Sequence, residues 1–209
     1  MQETSPAYSF SIENTIQKSW DIFKKNWKAV YKVGLLSTFI QILAQTLTNY
    51  NSENMSPLVA IIVFFAYYIL VSVLSMNSIR ILLKIIRGQE YEISELFNFD
   101  VKVFSYLWGT FVLGVLLMVG FFLLLIPGVY WTFKYLFTPY LIIDQQLDYR
   151  AAMKKSGEMT EGKKLKIFLL GLALMGINML GMIPLFLGLL VTIPVTYLAY
   201  LVAYEHLKE

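Results

Sequence analysis

The chain has 209 residues, of which 57% are hydrophobic and only 15% charged, with a mean hydropathy of +0.61. That balance excludes an ordinary soluble domain and points to a polytopic membrane protein, one membrane domain over 1–209. The absence of cysteine excludes disulfides, thiolate catalysis and Cys-metal sites, and with a net charge of only +3 no basic patch suited to nucleic acid stands out.

The N-terminal stretch MQETSPAYSFSIENT has neither a basic n-region nor an apolar core, so no cleavable signal peptide is expected. In 12–27, Ile12, Ile16, Trp20, Phe23 and Trp27 recur at spacings of 4, 4, 3 and 4, one face of a helix. Lys18, Lys24 and Lys25 point in other directions, as expected of an amphipathic helix in the headgroup plane; packing beneath the bundle is the alternative. Six apolar segments follow, at about 30–49, 58–80, 103–126, 129–144, 167–183 and 186–205. The last three are short or proline-interrupted. The predicted fold is all-α: about six transmembrane helices in three hairpins with cytoplasmic amphipathic helices, in units of about 12–86, 91–147 and 148–205. The first hairpin turns at NYNSENMSP; the others turn tightly at Ile126–Gly128 and Met182–Leu185.

The three turns contain no Lys or Arg, and sixteen of the seventeen basic residues fall on the other side. By the positive-inside rule this predicts a multi-pass protein of the bacterial cytoplasmic membrane with both termini in the cytoplasm. An internal repeat accompanies the pattern. KSWDIFKKNWK (18–28) precedes the first hairpin and KSGEMTEGKKLK (155–166) the third, with ISELFNFDVK (93–102) a weaker version before the second. Repeats are common in transporters.

SWDIFKKNW, RILLKIIRGQEYEISELF, IPGVYWTFKYLFTPYLIID and AAMKKSGEMTEGKKLKIF together resemble the membrane domain found with some bacterial glycerophosphodiester phosphodiesterases, and related stand-alone membrane families of unknown function. The resemblance spans about 11–205. It implies a membrane domain that anchors, assists or handles lipid-like or peptide substrates. The soluble phosphodiesterase domain and its His-plus-acid constellation are missing, so its activity does not carry over.

No titratable pair faces the bilayer as catalysis would need. The lone His206 reads as a solvated end residue, and Glu90, Glu92, Glu95, Asp100, Asp144, Asp148, Glu158 and Glu161 as a solvated face or local ion pairs. No enzyme, cofactor or metal is expected. Polar residues inside the spans form a stripe of Ser37, Gln41, Gln45 and Thr48 in the first, with Ser72, Ser75, Asn77 and Ser78 in the second, Asn178 in the fifth and Thr196, Tyr197, Tyr200 and Tyr204 in the sixth. They either knit helices together or line a substrate path.

Lys134 departs from the charge pattern. It lies six residues past Gly128, about 9 Å along the fourth span from the outer turn. A central lysine costs about 2.5–3.5 kcal/mol, less near an interface. With Tyr130 and Trp131 it is either a snorkelling anchor or a contact for an anionic lipid phosphate. The expected partners are the bilayer and its anionic phospholipids, with a protein partner or homo-oligomer compatible and nucleic acid not. The expected function is a non-enzymatic accessory or scaffold in envelope or lipid homeostasis. A small exporter of a lipid or peptide is the alternative.

Overall fold

The computed structural model describes residues 10–51, 55–100, 102–123 and 125–208. Residues 1–9 of the stretch read for a signal peptide, the middle of the first turn (52–54) and position 124 of the third predicted span lie outside these residues. Every regular element among them is helical: α1 (Ile12–Asn51), α2 (Pro57–Ile86), a 3₁₀ turn (Ile93–Phe97), α3 (Lys102–Leu123), α4 (Leu125–Lys134), α5 (Thr138–Asp144), α6 (Tyr149–Met159), α7 (Lys164–Met182) and α8 (Leu189–Leu207). Five of these, α1, α2, α3, α7 and α8, are long and apolar enough to cross a membrane.

The fourth predicted span, 129–144, is not one helix. It breaks into α4 and α5 across 135–137. Pro139 has no N–H to continue the ladder, so α5 restarts with a tight Thr138 N–H to Tyr135 carbonyl bond of 3.1 Å. The freed carbonyl of Lys134 accepts from Ser156 Oγ (3.0 Å) and Thr160 Oγ1 (3.2 Å). Ser156 Oγ also accepts the Phe137 N–H at 3.2 Å. Pro194 acts differently, because α8 runs through it. The carbonyl it leaves without an amide partner, that of Leu190, accepts from the Tyr31 hydroxyl at 2.7 Å. Both prolines thus orphan a carbonyl that a hydroxyl from another element satisfies.

α1 bends at Asn26 (φ −122°, ψ 19°), giving an arm over 12–25 and a longer arm over 27–51. The first arm is turned relative to the expected face. Thr15, Ser19 and Phe23 are buried, whereas Trp20 and Trp27 are exposed beneath Lys24 and Lys28, whose ammonium groups stand 5.1 and 5.6 Å from the ring centroids. Thr15 and Ser19 satisfy their hydroxyls on the helix's own carbonyls, at 2.8 and 2.6 Å, so small polar groups can face the core while bulky indoles sit at the flank.

The repeated Lys-Ser motif has a backbone counterpart. Seven residues after Ser19 comes the break at Asn26; seven after Ser156 comes Lys163 (φ −112°, ψ −1°), the residue before α7. Both serines are fully buried. α6 packs on α5 and α3, and the 3₁₀ turn packs on α2. The first arm of α1 shares a groove with Ile177 of α7 and Thr192 and Val195 of α8. Two glycine contacts draw α3 close to α4 and α7 close to the start of α8. A Cβ on Gly120 would come within 2.9 Å of Gly128 Cα, and one on Gly188 within 2.6 Å of the Gly181 carbonyl oxygen.

Candidate functional site

The polar residues of the long apolar helices differ in what they touch. Asn77 is buried and its amide donates to the carbonyls of Leu96 (3.1 Å) and Asn98 (2.8 Å), pinning the loop that carries the 3₁₀ turn. Asn178 donates to Thr196 Oγ1 at 2.9 Å, tying α7 to α8. These two knit helices. Gln45 is exposed and the Thr48 hydroxyl donates to the Gln45 carbonyl at 2.8 Å. Gln41 instead borders a cleft of about 560 Å³ between α1, α2 and α8.

Ser37, Ser75, Ser78 and Tyr197 share that cleft, and apolar side chains such as Val33, Leu82 and Ile193 form the rest of its wall. Gln41 Nε2 donates to Ser37 Oγ at 3.1 Å. The Ser78 hydroxyl is buried there and has no hydrogen-bond partner among the described residues. At the rim, Leu35, Leu190 and Ile193 are exposed, so the cleft opens laterally on an apolar surface. The seat is a mostly apolar slot with a few convergent hydroxyl and amide groups, the usual build of a site for an amphiphilic molecule.

Lys134 is elsewhere. It ends α4, and its groove of about 300 Å³ is completed by α6 and the start of α7, with Lys154, Glu158, Glu161 and Lys164 on its walls. The break after α4 brings Lys134 beside the charged helix α6. Tyr130 shares this groove, one helical turn from Lys134. Trp131 does not. It packs against Gly120 of α3 and lines a separate apolar hollow with Phe111 and Val115, because positions 130 and 131 diverge by about 100° on a helix.

A third cluster joins the ends of α2, α5 and α8. Arg87 bonds Asp144 Oδ1 (2.6 Å) and Glu205 Oε1 (2.7 Å), Lys208 reaches Glu205 Oε1 (2.9 Å) and Asp144 Oδ2 (3.4 Å), and the Tyr204 hydroxyl donates to Asp144 at 2.8 Å. Burial pushes the Asp144 carboxyl up, but hydrogen bonds from Arg87 and Tyr204 more than offset it and hold the group below the usual carboxylate range. Burial likewise opposes the Arg87 charge, and its two carboxylate partners raise it regardless. Reading Asp144 as a solvated face or an ion pair left this three-helix junction undetected, since no local spacing links residues 87, 144 and 205. His206 borders a groove with Lys18 and Asp21, and among the described residues no group of three His, Cys, Asp or Glu could hold a metal ion.

A family model described as a protein of unknown function (DUF975) matches residues 110–209, just under half of the chain. No curated protein and no solved structure matches. The matched part runs from within α3 to the C-terminus. It includes the whole Lys134 groove and, of the junction, Asp144, Tyr204, Glu205 and Lys208, whereas the cleft draws most of its wall from α1 and α2 outside it. The chain is similar to that family of unknown function over α4 to α8.

Proposed function

We propose that the protein is a non-enzymatic multi-pass membrane protein that accommodates a lipid within its helices and serves as an accessory in envelope or lipid homeostasis. The cleft between α1, α2 and α8 carries this reading, because it sets the Ser37, Gln41, Ser75, Ser78 and Tyr197 polar groups into an apolar slot. A glycerolipid offers the matching chemistry: an acyl chain for the wall and ester or hydroxyl oxygens for the polar end. On this reading the helices form three hairpin units, each led by an amphipathic segment, with both termini cytoplasmic as the Lys and Arg distribution favours. An assisting role also agrees with the resemblance to phosphodiesterase membrane domains, which we carry as part of the proposal.

Native mass spectrometry of the detergent-purified chain tests it. Ser78→Leu and Gln41→Leu would fill the cleft, so bound phospholipid per chain should fall while the unfolding temperature holds. Lipid retention equal to wild type in both folded variants would defeat the reading. A small lipid exporter is the second reading, favoured by the polar lining of Gln41 and Ser78. It requires movement of fluorescent phospholipid between leaflets of proteoliposomes above the protein-free rate.

A further inference from the structure

The Lys134 groove is a second feature of the molecule, independent of the cleft. Its construction begins with Gly157. A Cβ at that position would stand 3.1 Å from Lys134 Cε, so the lysine stem lies directly against the bare backbone of α6. The ammonium group then rests 5.2 Å from the Tyr135 ring centroid. Across the groove, the Lys164 ammonium lies 4.9 Å from the Tyr130 ring centroid. Neither ammonium makes an ion pair among the described residues. Glu158 lies 4.0 Å from Lys154, the nearest charge it is paired with.

Two lysines, each held against a tyrosine ring, thus face one groove without a counter-ion of their own. Cation–π contact positions an ammonium and leaves its N–H donors free for an oxyanion. The surrounding charge favours the same occupant. Residues 148–166 hold six basic and three acidic side chains, and Lys134 adds one more positive charge. Residues 148–166 alone match the formal net charge of the whole chain, +3, and with Lys134 they exceed it by one. The Tyr130 ring on the groove wall is exposed, and α7 exposes Leu165 and Leu169 about 100–140° around the helix from Lys164, which leaves apolar surface for acyl chains near the cations.

We infer that this groove binds the phosphate of an anionic glycerophospholipid, with Lys134 and Lys164 as its two ammonium ligands and Gly157 as the residue that seats Lys134. The lipid is favoured over a free phosphate because the groove adjoins exposed apolar side chains.

The test uses the full chain in nanodiscs of phosphatidylcholine with increasing phosphatidylglycerol, followed by native mass spectrometry of retained lipid. Wild type should enrich phosphatidylglycerol. Lys134→Gln and Lys164→Gln should each lower that enrichment about fivefold, the effect of one basic group beside an anionic surface. Gly157→Leu should do the same by displacing the lysine stem, and Lys28→Gln, on α1, should change nothing. If Lys134→Gln impairs folding, Lys164→Gln alone decides. Enrichment that survives the folded lysine variants overturns the site, as does an equal loss in Lys28→Gln. Release of phosphatidylglycerol by millimolar inorganic phosphate would overturn the lipid assignment in favour of a free-phosphate site.

Discussion

Ser156 has no exposed surface, and its single hydroxyl holds both sides of the break after α4, giving its hydrogen to the Lys134 carbonyl and taking that of the Phe137 N–H. Its repeat counterpart Ser19 is equally buried, but among the described residues its hydroxyl bonds just the Thr15 carbonyl in its own helix. Ser156→Ala therefore strands a buried amide, at a cost of about 1–3 kcal/mol, whereas Ser19→Ala should cost less than about 1 kcal/mol. Thermal unfolding in detergent, followed by circular dichroism, separates the two; equal shifts would refute the capping role. The Lys-Ser repeat was legible in the sequence, and so was Pro139 as an interruption of the fourth apolar segment. What was not legible is which hydroxyl caps which carbonyl, because Lys134 and Ser156 meet only after the chain has turned through α5. The surroundings of Lys134 were hidden for the same reason: a helix continuous over 129–144 keeps it away from α6, and the break before Pro139 brings the two together.

At the scale of helices, the glycines divide by what they touch. Glycine recurs along α3 at 109, 114 and 120 and along α7 at 171, 176 and 181. Only some meet a neighbour closely: Gly109 against Ile142 and Tyr149, Gly120 against Gly128 and Gly181 against Gly188, while Gly114 and Gly176 have nothing within 4 Å of an added Cβ. Gly188→Ala would press on Gly181 backbone atoms that cannot rotate away, and should destabilise by about 1–3 kcal/mol. Gly176→Ala faces open space inside α7 and should be neutral or stabilise by up to about 1 kcal/mol. Unfolding temperatures of the two variants in the same detergent check the contrast. Glycine spacing marks where close approach is allowed, but the partner surface decides whether it happens. The five long apolar helices were legible because hydropathy is local; the turn of the first arm was not, since Thr15 and Ser19 bury themselves by hydrogen bonds that hydropathy does not count.

At the scale of the molecule, the junction of Arg87, Asp144, Glu205 and Lys208 fastens the ends of α2, α5 and α8, outside the reach of any local pattern. Its acid response follows from the Asp144 carboxyl, held below its ordinary range by Arg87 and Tyr204 despite burial. A depressed folded-state value means the carboxylate stabilises the fold fully above the unfolded value of about 3.9 and loses that contribution as pH falls through the lower folded value. The junction should therefore add no pH dependence between pH 7 and about 5, and should weaken below about 4. Arg87→Met leaves Asp144 and Glu205 sharing only Lys208. The variant should lose about 1–3 kcal/mol at pH 7, less than a fully buried pair would, because the side chains of Arg87, Asp144 and Glu205 keep 26%, 11% and 16% of their exposure. Without Arg87 the Asp144 carboxyl also rises toward its ordinary range, so the variant's remaining stability should depend less steeply on acid. Arg80→Met, which breaks the more exposed pair with Asp100, should cost less at pH 7. Unfolding temperatures from pH 3 to 7 for wild type and both variants decide it: an Arg87→Met profile that overlays wild type would show that the three helix ends are held by packing alone.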